Sequence, residues 1–154
     1  MTSPVHSGGG REPVVLDTNV CLDLFVFADP RATKLRDALV AGMLRVVCDA
    51  QCRDEWRSVL AYPQWRLDAA AQAAHLARLD ALADTAAPTL ADPPRPPRCR
   101  DPDDQKFLEL AARTGARWLF TRDNALLRLS RRTQREMGLV IVTPEAWARE
   151  AGPA

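Results

Sequence analysis

Asp17 stands where an apolar run ends, in "PVVLDTNVCLDLF" (residues 13–25). An ionised carboxylate at the tip of a buried strand is unfavourable unless something compensates it, and a divalent cation is one such partner. Three more acids occupy comparable positions. Asp123, in "LFTRDN", follows a β-type run at 117–121. Asp104, in "RDPDDQKF", falls in the first turn of the helix feeding that run, and Glu55, in "RDEWRSVL", lies early in a helix after another apolar run. Acids that converge repel one another and resist ionisation unless cations neutralise them. Mg²⁺ and Mn²⁺ suit such a set, because hard divalent ions prefer carboxylate and water ligands. Ions held this way activate water and stabilise charge at phosphorus. Thr18, Asn19 and Thr121 are placed to orient the carboxylates through hydrogen bonds.

Each acid also has an ordinary explanation. Asp17 and Asp123 can cap the helices that follow them, and Asp101, Asp103 and Asp104 match capping with dipole compensation. Glu55 alone reads as a solvated helix residue. The coincidence of four acids at one expected sheet edge shifts the balance toward a metal site, but spacing by itself leaves the two readings about even.

Other chemistries lack their residues. The two histidines are His6, near the N-terminus, and His75, in an alanine-rich helical stretch, and neither sits in a motif for nucleophilic catalysis. No phosphate-binding glycine loop of the P-loop or dinucleotide type occurs. Cys21, Cys48, Cys52 and Cys99 show neither a disulfide framework nor a second pair to complete a zinc site, so they read as reduced, buried thiols. Lys34 and Lys106 are the only lysines, and every other basic side chain is arginine, which suits bidentate phosphate contacts. Arg128, Arg131, Arg132 and Arg135 fall at helical spacing; with Arg122 they could hold a phosphate backbone leading to the acids, or simply form a solvated face.

Elements must position these side chains. At 154 residues, 47% hydrophobic and 27% charged, with net charge +1, the chain has the balance of one ordinary globular domain. No apolar run reaches the roughly 20 residues of a bilayer span, and residues 1–12 read as a flexible tail without a secretory core, so a cytoplasmic protein is expected. Strands are expected at 14–18, 44–49, 117–121 and 139–143. Helices are expected at 19–28, 30–43, 50–61, 69–87, 101–116, 124–138 and 144–151. Between Pro88 and Pro102 six prolines impose an extended, surface-wrapping connection. Alternating strands and helices imply an α/β fold, a parallel sheet of about four strands covered on both faces, with ligands gathering beyond the strands' carboxyl ends.

The ordered set "VVLDTNV", "DEWRSVLAYPQWR", "RDPDDQKFLELAARTGARWLFTRDNALL" and "VIVTPEAW" resembles PIN-domain ribonucleases, most closely the bacterial group described as toxins of toxin–antitoxin systems. The resemblance implies a three-layer α/β/α sandwich over residues 13–151. It implies a metal-dependent nuclease acting on RNA, with Asp17, Glu55, Asp104 and Asp123 as the acids, Asp101 beside them and Thr121 as the small polar residue near the last. It further implies a small antitoxin protein as partner and a homodimer. A non-catalytic RNA- or protein-binding module on the same fold, and a phosphatase or DNA nuclease using similar metal chemistry, are the competing readings.

Overall fold

Val14, Val15 and Leu16 are almost wholly buried, because the strand they form is covered on both sides and flanked by two others. In the computed structural model, which describes residues 11–85 and 89–151, this strand is β1 (Glu12–Leu16). Most of the expected tail, with His6, lies outside the described residues, as does Pro88; Glu12 already belongs to the sheet.

The other strands are β2 (Leu44–Val47), β3 (Ala83–Asp84), β4 (Trp118–Phe120) and β5 (Val140–Val142). All pair in parallel, in the order β3-β2-β1-β4-β5. The sheet thus has five strands where about four were expected. The addition is β3, taken from the end of the helix expected at 69–87. Ala83 and Asp84 pair with Val46 and Val47 on the open edge of β2, and Asp84 receives Arg45 at 2.8 Å. Nothing in an alanine-rich run announces that exchange; the partner strand imposes it.

Helix α1 (Thr18–Cys21) continues as a π-helical turn, Leu22–Val26. Next come α2 (Thr33–Val40), α3 (Ala50–Leu60) and α4 (Ala69–Leu82), the last two begun by Asp49 and Asp68, whose carboxylates accept from Cys52 and Ala71 N–H groups. Helix α5 (Gln105–Thr114) is preceded by a 3₁₀ turn at Pro102–Asp104 and ends at Gly115, whose φ of 70° is one that glycine adopts without strain. The helix expected at 124–138 is two helices, α6 (Asn124–Leu127) and α7 (Ser130–Met137). Finally α8 (Pro144–Ala151) packs its Trp147 edge-on against Trp118 and Phe120, with ring centroids 6.2 and 5.6 Å apart.

Helices α1, α4 and α5 all pack on α3, and α5 also lies on β1 and β4; α2 meets β2 and α8. The result is the expected layered α/β arrangement. Trp56, Phe107, Phe120 and Leu108 fill the core with under 2% of their surfaces exposed. Truncating such a residue costs about 3–5 kcal/mol for an aromatic side chain. The four cysteines are free and buried. Among the described residues no helix is long and apolar enough to cross a membrane.

Candidate metal centre at the carboxyl edge of the sheet

The strand order reverses direction at β1: β2 lies on one side and β4 on the other. Helices leaving neighbouring strands to opposite faces open a crevice beyond the carboxyl ends at such a point. Asp17 follows β1 and Asp123 follows β4. The Asp17 N–H donates to the Phe120 carbonyl at 2.9 Å, closing the two strand ends together. Thr121, fully buried, donates its hydroxyl to Asp17 Oδ2 at 2.7 Å and accepts from the Asp123 N–H at 2.9 Å. One threonine therefore sets both acids, and Asn19 adds a 3.3 Å bond to the same Asp17 oxygen.

Capping explains some of these carboxylates and not others. Asp123 Oδ1 accepts from the Ala125 N–H and Asp101 Oδ1 from the Asp103 N–H, both at 2.9 Å. Each caps through one carboxylate oxygen. Asp17 and Asp104 also precede helices, yet neither side chain makes a cap bond. Both are buried, and Asp104 Oδ2 has no hydrogen-bond partner among the described residues. Asp101, Asp104 and Asp123 each bring one oxygen within 4.8 Å of the others.

Electrostatics follow from that crowding. Burial pushes Asp17 up to about 6, opposed by the Thr121 hydroxyl and reinforced by the charges of Glu55 and Asp123. Asp104 is pushed up to about 8, first by burial, then by its hydrogen bond with Asp123 and the charges of Asp17, Asp123 and Asp101. Asp123 is held below the usual carboxylate range by the same bond. Crowding of the acids therefore favours the protonated form at Asp104 and the charged form at Asp123.

Glu55 joins the site differently. One carboxylate oxygen accepts from the Thr18 hydroxyl, and the other pairs with Lys106 Nζ at 2.5 Å. Lys106 also donates to the Asp103 carbonyl, so its ammonium sits between the second acid and the turn carrying the third. Burial disfavours that charge, but the Glu55 carboxylate outweighs it and holds the ammonium above its usual pKa. Of the four expected acids, the compact group thus contains Asp104 and Asp123, with Asp101 as its third member. Asp17 stands beside it and Glu55 is tied to Lys106.

The five arginines do not share one face. Arg122 is turned inward, paired with buried Asp23 and with Glu145 of α8 at 2.7 Å, and its N–H donates to Asn19 Oδ1 at 3.3 Å. It braces the loop holding Asp123 rather than facing solvent. The break between α6 and α7 puts Arg128 in a turn, off the helix that carries Arg131, Arg132 and Arg135. All four are exposed, and Arg132 pairs with Glu136 at 3.2 Å. Sequence reading missed Asp23, Lys106 and Glu145. Asp23 was detectable as an acid inside the apolar run "CLDLF", which demands a partner, and Lys106 as one of only two lysines.

The family model for the PIN domain matches residues 13–125, well over half of the chain, a range that contains the four expected acids. The chain belongs to the PIN-domain family. A search of curated proteins returned no match. PIN domains are generally nucleases, hydrolases of phosphodiester bonds, and they typically bind divalent metal ions. The residues of this PIN domain fit such an ion: the donors are all carboxylate oxygens, and a buried one, Asp104 Oδ2, lacks any other partner among the described residues.

Proposed function

We propose that this PIN domain is a Mg²⁺- or Mn²⁺-dependent endoribonuclease, the toxin of a toxin–antitoxin pair. The observation that carries the nuclease reading is the buried Asp104 Oδ2, without a partner among the described residues, inside a carboxylate group beyond the ends of β1 and β4. The toxin assignment rests on the ordered motifs that resemble that bacterial group, and a small antitoxin partner and a homodimer go with it.

Asp101, Asp104 and Asp123 would hold the ion, with Asp17 completing the site from β1. When bound, the ion supplies Lewis acidity toward water and phosphate. The protein's part is orientation and charge. Thr121 fixes the Asp17 and Asp123 carboxylates relative to each other, so neither has to reorganise as charge develops. A cation held there would favour the charged form of Asp104, which burial and the neighbouring acids disfavour. Lys106 neutralises Glu55, lowering the repulsion an incoming phosphodiester meets.

The test is cleavage of a labelled RNA with Mn²⁺, with Mn²⁺ plus chelator, and by Asp17→Asn and Asp104→Asn. Cleavage is expected only for the wild type with free metal. Undiminished cleavage by both variants would eliminate the mechanism. Cleavage of DNA or a simple phosphoester in preference to RNA would replace the substrate. Growth arrest on expression, relieved by a small protein encoded alongside, is the expected sign of the toxin role.

A further inference from the structure

Residues 93–98 read Pro-Pro-Arg-Pro-Pro-Arg, a triplet repeat with no helix or strand assigned to it. Proline fixes φ and extends the residue before it, and the extended helix that polyproline favours has three residues per turn. Arg95 and Arg98 then leave the same side of the strap, roughly 9 Å apart at about 3.1 Å per residue. The structure agrees: both line one groove of about 730 Å³, with Arg132 of α7 and Glu109 of α5 also in its walls.

The strap is held at both ends. On one side Leu90 N–H donates to the Arg113 carbonyl at 2.8 Å, and the Leu90 side chain lies against Gly115. On the other, Gln105 Nε2 donates to the Pro97 carbonyl at 3.1 Å while its Oε1 accepts from Cys99 N–H at 2.6 Å. Between these anchors Arg95 and Arg98 are exposed, with no ion-pair partner among the described residues. Arg98 and Glu109 also line a second groove, of about 380 Å³, whose walls include Asp103 and Lys106. That groove adjoins the turn carrying Asp104. Glu109 is the acid common to both grooves, and Gln105 Nε2 donates to it at 3.1 Å.

We propose that the proline strap is a phosphate rail for single-stranded nucleic acid, in which Arg95 and Arg98, faced by Arg132, hold the strand's backbone and lead it past Lys106 to the carboxylates. The end point of the path rests on the nuclease reading; the binding surface does not. Guanidinium forks match phosphate oxygens, and a strap whose backbone is already restrained loses little entropy on binding. The pyrrolidine rings offer flat apolar surface to sugars and bases without donors to select among them, so little base preference is expected.

The experiment is anisotropy of a labelled oligouridine of about 12 nucleotides, in chelator, across roughly 50–200 mM salt. The double variant Arg95→Gln, Arg98→Gln is expected to raise Kd about tenfold or more and to make the slope of log K against log salt shallower by about 1.4, about 0.7 per lost phosphate contact on a single strand. The control, Arg57→Gln with Arg149→Gln, removes the same charge from exposed positions outside both grooves and is expected to leave Kd within about twofold. Equal weakening by both pairs, or no change with the strap pair, overturns the rail. Weakened binding by the strap pair, with a wild type that cuts nothing in Mn²⁺, keeps the rail and removes the nuclease; active cleavage with KM unchanged in the strap pair does the reverse.

Discussion

Replacing Asp104 by asparagine turns the most perturbed carboxyl of the centre into a permanent mimic of its protonated form. In the metal-free wild type this group sits at about 8, against an ordinary 3.8. A carboxyl whose folded pKa is raised favours folding fully below its unfolded pKa, and that contribution is lost as pH rises through the folded pKa. The window is therefore pH 4 to about 8, and the asparagine variant has no such loss. At about 1.4 kcal/mol per pH unit the ceiling is about 6 kcal/mol. The opposite shift at Asp123, together with solvent reaching Asp123 and Asp101, reduces this to about 2–3 kcal/mol between pH 5 and 8. For a chain of 154 residues that corresponds to about 5–10 °C in Tm. Thermal melts of both proteins in chelator from pH 5 to 9 measure it. The Tm difference, variant minus wild type, should grow up to pH 8 and then level. Mn²⁺ should raise the wild-type Tm and leave the variant's nearly unmoved. A difference independent of pH would refute the placement of a buried carboxyl crowded by other acids in this centre.

Thr121→Val removes the hydroxyl joining Asp17 to Asp123, and is expected to weaken Mn²⁺ binding about 10–100-fold by calorimetry while costing about 1–3 kcal/mol in urea unfolding. Lys106→Met frees Glu55 from its built-in cation; Mn²⁺ affinity should rise severalfold in the same titration, and a fall would show that the ammonium does not compete with the metal. Arg122→Met leaves Asp23 buried without its partner and should cost about 3–5 kcal/mol in urea unfolding, whereas Glu145→Gln, at the more exposed end of the cluster, should cost about 1 kcal/mol or less.

Local signals carried most of the architecture. Apolar runs, proline at first turns, aspartate caps and the glycine after α5 act over a few residues, so alternation of strands and helices, and hence the parallel sheet, could be read directly. Element boundaries shifted where a distant partner intervened, as when the edge of β2 drew Ala83 and Asp84 out of the helical run. The same division runs through the site. Asp17 and Asp123 were legible because strand ends in such sheets share one edge. Which oxygens actually meet was decided by tertiary structure: the 3₁₀ turn at 102–104 brings Asp101 beside Asp104, and Lys106 takes Glu55 aside. Capping looks identical in sequence for Asp17, Asp101, Asp104 and Asp123, and only the folded backbone separates the two that cap from the two that do not. By itself, then, the sequence determined the kinds of donor available and the edge where they would gather. The pairing of each carboxylate with a proton, a lysine or a vacant oxygen waited for the fold, because charge interactions depend on distances of a few ångströms between residues that no local pattern relates.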